Sequence, residues 1–252
     1  MKKLSVVILL SLFSIAVYCQ TKVIAHRGFW NIEGAAQNAV SSLYKAYEYG
    51  CYGTEFDVYL TSDGVLVLHH DGVIEGAQIE KTPYSKIKDT KLENGELIPT
   101  VEQFLIHAKN CPGIKLIYEV KPHTGNALET KVAEKVVEMI KQFGMEDRTE
   151  YISFSKHLCT ELKRLSPKTS VSYLGSDLSP KELKALNLDM DHHYTPLLQN
   201  PAKIKEAKEL GLLVNVWTVN DAEAMKKLIE LDVDYITTDK PLLLQSVIKE
   251  LK

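Results

Sequence analysis

The sequence predicts a (β/α)8 TIM barrel with a β-hairpin and a small insertion after strand 2. Three observations lead there. Nine short β-like runs occur along the chain, and eight of them each lead into a helical stretch. The ninth follows its predecessor through a tight Asp63-Gly64 turn and must be antiparallel to it. Polar side chains also collect at the carboxyl ends of the strands, where such barrels do their chemistry. A doubly wound open sheet has no need of eight units and usually opens on a Gly-rich turn, which is missing.

The elements follow from pattern and punctuation. Residues 1–19 stand apart: Lys2 and Lys3 precede an apolar run from Leu4 to Val17, the layout of a secretory signal peptide. That run is too short to span a bilayer comfortably. Removal of residues 1–19 leaves 233 of the 252 residues, as one domain over residues 20–252. The product is exported, periplasmic or secreted, with no stable membrane insertion. A lipoprotein acylated at Cys19 is the lesser alternative, since bulky Tyr18 precedes it.

Val23–His26 reads as strand one and Asn38–Tyr49 as the helix after it, with Gly50 and Gly53 at its end. Thr54–Leu60 is strand two and Val65–His69 the hairpin return, with Ser62 facing Val65 and Asp57 opposite His70. Asp71–Pro99 is polar and irregular, with one helical possibility near Tyr84–Ile87. Thr100 caps a helix to Lys109. Lys115–Lys121 is strand three, and Leu128–Phe143 a helix stopped by Gly144. Strands follow at Tyr151–Phe154, Ser170–Leu174, Leu188–His192, Leu212–Val219 and Asp234–Thr237. Helices fall between them at about 157–165, 180–186, 201–210 and 222–230, with a last one at 241–251.

Composition removes several functions. The chain is 45% hydrophobic and 25% charged with a net charge of −3, falling to −5 once Lys2 and Lys3 are gone, so no nucleic-acid or polybasic membrane surface is indicated. Cys51, Cys111 and Cys159 match no zinc spacing and read as small buried hydrophobes.

The chemistry lies at the strand ends. Glu55 and Asp57 share one face of strand two, Glu119 and Lys121 one face of strand three, and His70 returns on the hairpin. Three carboxylates offer hard oxygen ligands, the set that suits Mg²⁺ or Ca²⁺. With a divalent ion they leave −1; a phosphodiester makes −2, and Arg27 and Lys121 restore neutrality. Two imidazoles titrate in the range an acid/base pair needs. His69 points away from His70, and His123 and His193 read as surface residues. Trp217 ends an apolar strand and divides evenly between core and site.

The strings HRG at His26–Gly28, E-x-D at Glu55/Asp57, T-x-DG at Thr61–Gly64, HD at His70-Asp71, IPT at Ile98–Thr100, E-x-K-P at Glu119–Pro122, VWTVN at Val216–Asn220 and TD-x-P at Thr238–Pro241 occur in that order. Together they resemble the glycerophosphodiester phosphodiesterase family over nearly the whole mature chain. The resemblance implies a metal-dependent barrel enzyme that hydrolyses small glycerophosphodiesters to glycerol 3-phosphate and an alcohol. It implies one divalent cation, Mg²⁺ or Ca²⁺, held by Glu55, Asp57 and Glu119. His26 and His70 would be the acid/base pair, Arg27 and Lys121 the phosphate ligands, and Trp217 the lining of the glycerol side. The family mechanism is attack by the substrate's own 2-hydroxyl, through a cyclic phosphate that water opens. One departure stands out: Gln37, in Ala36-Gln37-Asn38-Ala39, replaces the family's usual Glu and is expected among the substrate-binding residues. The alternatives are another phosphodiester, lipid or not, or a weakly active phosphodiester-binding relative.

Overall fold

The computed structural model describes residues 21–251, so the signal sequence expected over residues 1–19 lies outside the described residues. Eight parallel strands close into the expected barrel: β1 (Lys22–Ala25), β2 (Gly53–Leu60), β6 (Lys115–Val120), β7 (Thr149–Ser153), β8 (Val171–Tyr173), β9 (Asp189–His193), β10 (Val214–Trp217) and β11 (Tyr235–Thr238). They lie in the order β1-β11-β10-β9-β8-β7-β6-β2, and β2 pairs back on β1 to close the ring. β3 (Leu66–Leu68) lies antiparallel on β2, outside the ring.

Strand alternation divides the side chains between two environments. Phe56, Val58 and Leu60 on β2, with Tyr118 and Val120 on β6, turn outward into the main core beneath the helices. The opposite face fills the barrel with Ile24, Ile117, Ile152, Leu174 and Tyr235. At the strands' amino ends Tyr52 stacks on Tyr235 at 5.3 Å and its hydroxyl donates to Glu150 at 2.9 Å, which plugs the barrel from below. The carboxyl end stays open.

Helices α1 (Val40–Glu48), α2 (Val101–Ala108), α3 (Asn126–Phe143), α4 (Lys156–Leu165), α5 (Pro180–Ala185), α7 (Ala202–Glu209), α8 (Ala222–Glu230) and α9 (Pro241–Glu250) fall within a few residues of the positions the sequence predicts. Thr100 and Gln103 form a reciprocal capping box, as do Ser179 and Glu182. Each such cap is worth about 1 kcal/mol. Gly144 ends α3 in the left-handed conformation at φ 64°. Leu43, fully buried under α1, anchors that helix; truncation to Ala costs about 2–5 kcal/mol. One helix, α6 (Tyr194–Gln199), has no counterpart in the sequence reading. Pro196 disguises it, although proline is tolerated in a helix's first turn.

The hairpin departs from expectation in register. Val58 pairs with Leu68, Tyr59 with Val67 and Leu60 with Leu66, one residue off the pairing that sets Asp57 against His70. The loop has three residues, Ser62 to Gly64, because Thr61 Oγ1 donates to Asp63 and accepts from the Val65 amide. Gly64 closes it at φ 85°, the left-handed residue a three-residue hairpin loop requires. Asp57 therefore faces His69, whose amide donates to the Asp57 carbonyl at 3.2 Å.

The insertion is small and packed. β4 (Val73–Ile74) and β5 (Ala77–Gln78) pair with each other, and single turns follow at Ile79–Lys81 and Tyr84–Lys86. Ile74, Ile79, Ile87 and Ile98 close a separate apolar cluster over Val67. Glu80 ties this segment to the loop after β6 by accepting from the Thr124 amide and hydroxyl. Cys51, Cys111 and Cys159 are free and buried, as expected.

Candidate active site

A cavity of about 170 Å³ opens at the carboxyl end of the barrel. A larger groove, about 620 Å³, lies among loops at the amino end, lined by Lys163, Arg164 and Lys184, and none of the candidate site residues lines it. The end that holds the carboxylates is the one that carries chemistry in this fold.

His26, Arg27, Glu55, His70, Glu119, Lys121 and Trp217 all line the smaller cavity. Asp57 and Gln37 stand directly behind them, Gln37 accepting from Arg27 Nη1 at 2.7 Å. Ligand oxygens of Glu55, Asp57 and Glu119 lie within 4.8 Å of one another. Glu55 Oε1 is buried without a hydrogen-bond partner, and buried Asp57 Oδ1 has only the Lys121 ammonium beside it, at 2.9 Å. An orphaned oxygen in a converging set of buried carboxylates fits a hard divalent cation.

The HRG string explains how β1 delivers its residues. Arg27 and Gly28 both take positive φ, 55° and 77°, so the chain reverses at the top of the barrel. A Cβ on Gly28 would meet Ser42 Oγ at 2.2 Å, so no other residue fits. The reversal aims the Arg27 amide at Glu55 Oε2, 2.7 Å away. The Arg27 side chain leans on Asp57 at 3.7 Å.

Lys121 carries the local counter-charge. Its Nζ lies 2.6 Å from Glu119 Oε1 and 2.9 Å from Asp57 Oδ1. Burial works against the ammonium, but Asp57 and Glu119 outweigh it and hold Lys121 protonated. Burial also opposes ionisation of Asp57, and Lys121 overcomes it, so that carboxyl sits below its usual range. Glu55 and Glu119 go the other way. Burial and the charge of Asp57 raise both, Glu119 to about 7. Without a cation the three carboxylates oppose one another; a divalent ion removes that conflict.

His70 reaches the cavity although the register that predicted it is wrong. β3 ends at Leu68, so strand alternation no longer governs His70, which lies two residues further on. Its Nδ1 is 2.9 Å from Asp71 Oδ1. Burial lowers its pKa, and Asp57 partly offsets the effect.

Several residues near the site have a place in the sequence motifs but no role assigned from them. His26 Nδ1 lies 2.8 Å from Asp239 Oδ1. Asp239 also accepts from Trp30 Nε1 at 3.2 Å and Asn220 Nδ2 at 2.6 Å, while its amide donates to Asn220 Oδ1 at 2.9 Å. Burial opposes this carboxylate, but its hydrogen bond and charge contact with His26 hold it ionised. Asn38 clasps Asp57 from both sides: its Nδ2 donates to Oδ2 at 2.8 Å and its Oδ1 accepts the Asp57 amide at 2.9 Å. Asn38 adopts φ 56°, a strained conformation in which the clasp holds it. Its signal was its place in the AQNA string beside Gln37.

His123 corrects an expectation. It is buried rather than superficial, accepting the Leu60 amide at Nε2 and donating from Nδ1 to the Lys121 carbonyl. Burial lowers its pKa, and a neutral ring is what those partners require. His193 is exposed as expected, with its ring edge-on to Trp217 at 5.3 Å.

Comparison with known proteins agrees with this geometry. The glycerophosphoryl diester phosphodiesterase family model matches residues 26–243. A glycerophosphodiester phosphodiesterase of Caldanaerobacter subterraneus is 28% identical, over 92% of this chain and 99% of its own length. The crystal structure of a glycerophosphodiester phosphodiesterase from Parabacteroides distasonis is 46% identical, covering 92% of this chain and 98% of that one, with a TM-score of 0.91. An Oleispira antarctica phosphodiesterase, solved in complex with the product sn-glycerol-3-phosphate, is 28% identical over 91% and 97% of the two chains, with a TM-score of 0.79. The chain thus belongs to the glycerophosphoryl diester phosphodiesterase family and is a phosphoric diester hydrolase.

Proposed function

We propose that this protein hydrolyses small glycerophosphodiesters to glycerol 3-phosphate and an alcohol, with one divalent cation, Mg²⁺ or Ca²⁺, at Glu55, Asp57 and Glu119. One observation carries the reading: three converging buried carboxylates, two cationic side chains and two imidazoles gather in and directly behind a single cavity. When bound, the cation supplies charge stabilisation for the phosphoryl group. Arg27 and Lys121 hold phosphate oxygens and share in that stabilisation.

His26 and His70 move the protons: one takes that of the substrate's 2-hydroxyl as its oxygen bonds to phosphorus, the other gives one to the departing alcohol, and with the roles reversed water opens the cyclic phosphate to glycerol 3-phosphate. Asp239 accepts from His26 Nδ1, which leaves Nε2 as that ring's basic nitrogen. Gln37 orients Arg27 by a neutral hydrogen bond and leaves the guanidinium charge for the substrate. Asn38 fixes the rotamer of Asp57. A cavity of about 170 Å³ is small beside the roughly 300–1,000 Å³ of drug-sized sites, which favours a deacylated diester over an intact lipid. Among the described residues no helix is long and apolar enough to cross a membrane. Export rests on Lys2, Lys3 and the Leu4–Val17 run.

The test is glycerol 3-phosphate release from glycerophosphocholine by purified residues 20–252. Turnover abolished by EDTA and restored by Mg²⁺ or Ca²⁺ supports the assignment. Tight diester binding without turnover under either metal contradicts it and favours a binding relative.

A further inference from the structure

The cavity's walls differ around the ring. β1, β2 and β6 are neighbours and supply its charged residues, His26, Arg27, Glu55, Glu119 and Lys121. β7, β8 and β10 supply Ile152, Phe154, Leu174 and Trp217, an apolar wall in which the Phe154 and Trp217 rings meet edge-on at 5.5 Å. One carboxyl stands within that second wall. Asp191, on β9, lines the cavity and is fully buried.

Only half of this carboxyl is satisfied. Oδ2 accepts from Asn215 Nδ2 at 2.9 Å, and Asn215 is itself held by Thr237 Oγ1 at 3.0 Å. Trp217 Nε1 donates to the Asp191 main-chain carbonyl at 3.2 Å, so the wall and the carboxyl form one unit. Oδ1 has no partner. A buried oxygen left in that state costs roughly 1–3 kcal/mol. Asp191 is not one of the three residues whose oxygens converge as a cation site.

We infer that Asp191 Oδ1 hydrogen-bonds a hydroxyl of the substrate's three-carbon polyol, and so makes Asp191 a specificity-determining residue. This assignment rests on the function proposed above. A glycerol unit has the chemistry the wall offers: C–H faces for Phe154, Leu174 and Trp217, and a hydroxyl for the unpartnered Asp191 Oδ1. A hydroxyl both donates and accepts, so it suits this oxygen whether the carboxyl is ionised or neutral. Burial raises the Asp191 pKa to about 8, with the Asn215 bond opposing and Glu119 adding to the rise.

Binding separates this role from a structural one. The Mg²⁺- or Ca²⁺-loaded protein is titrated with sn-glycerol 3-phosphate, n-propyl phosphate and inorganic phosphate, in the wild type and in Asp191→Leu. The wild type should prefer glycerol 3-phosphate over n-propyl phosphate by about tenfold, the scale of one hydrogen bond to a buried polar group. Asp191→Leu should bring that ratio close to one and leave the affinity for inorganic phosphate unchanged. A wild type with no preference, an unchanged ratio in the variant, or an equal loss for all three phosphates overturns the assignment.

Should the Leu variant fail to fold, Asp191→Asn gives the same decision. Asn215 would hold the new amide oxygen and turn the NH₂ to the cavity, a donor only, so the preference should fall about threefold; an unchanged ratio overturns the assignment. These constants do not depend on turnover. A protein that binds as stated but hydrolyses no diester fails the proposed function and leaves Asp191 standing.

Discussion

The two sides of the barrel mouth use the same alternating strands for opposite ends. On β1, β2 and β6 the inward residues near the top are charged, and each needs its neighbours: Glu119 needs Lys121, and Asp57 needs Asn38. On β7, β8 and β10 the residues at the mouth, Ile152, Phe154, Leu174 and Trp217, are apolar side chains that need no charged neighbour. The first side stores electrostatic conflict that a cation and a phosphodiester would relieve. The second holds a single unpartnered carboxyl oxygen, Asp191 Oδ1. A substrate with an anionic centre and a short polyol arm matches this division, which teaches that binding and catalysis can be perturbed separately.

The largest effect belongs to the charged side. Glu119→Gln should lower kcat by about 10³-fold or more through loss of the cation, measured by steady-state kinetics at saturating metal. His70→Ala should follow at about 10²–10³-fold, with metal affinity preserved. Asp239→Asn should cost about 10- to 100-fold in kcat with KM little changed, because the His26 ring loses the group that orients it; an effect confined to KM would contradict a positioning role. Trp217→Ala, on the apolar side, should raise KM about tenfold and leave metal affinity untouched. Gln37→Glu should change kcat by no more than a few-fold, since Arg27 keeps a partner at that position.

The comparison also predicts a pH dependence. The raised pKa values of Glu55 and Glu119 mean that the folded protein holds protons the unfolded chain releases. Stability of the metal-free protein therefore falls as pH rises from the ordinary glutamate value of 4.5 to about 7 for Glu119. Asp57 is lowered, so its contribution is lost only below its usual 3.8. Thermal melts in EDTA should show Tm dropping between pH 5 and 8. Saturating Mg²⁺ or Ca²⁺ should flatten that slope by binding the ionised carboxylates.

The two sides also differed in how far they could be read from sequence. A charge on a strand destined for burial has few explanations, so Glu55, Asp57, Glu119 and Lys121 stood out by alternation alone. Ile152, Phe154 and Leu174 did not, because an apolar residue on a strand reads the same whether it faces core or cavity. Asp191 was visible in principle: Asp189, Asp191 and His193 alternate along β9. The pairing of Asp239 with His26 spans 213 positions and only the closed ring brings it about. The hairpin register turned on one extra loop residue, set by the Thr61 hydroxyl rather than by any hydrophobic pattern.

The central claim is that Glu55, Asp57 and Glu119 together hold one divalent cation on which diester hydrolysis depends. Calorimetric titration of the EDTA-treated protein with Mg²⁺ and with Ca²⁺ tests it most directly, beside Glu119→Gln checked for an intact fold by circular dichroism. One site per chain in the wild type, abolished by the substitution together with turnover, is the predicted result. Undiminished binding in Glu119→Gln, or turnover that persists in EDTA, would contradict it.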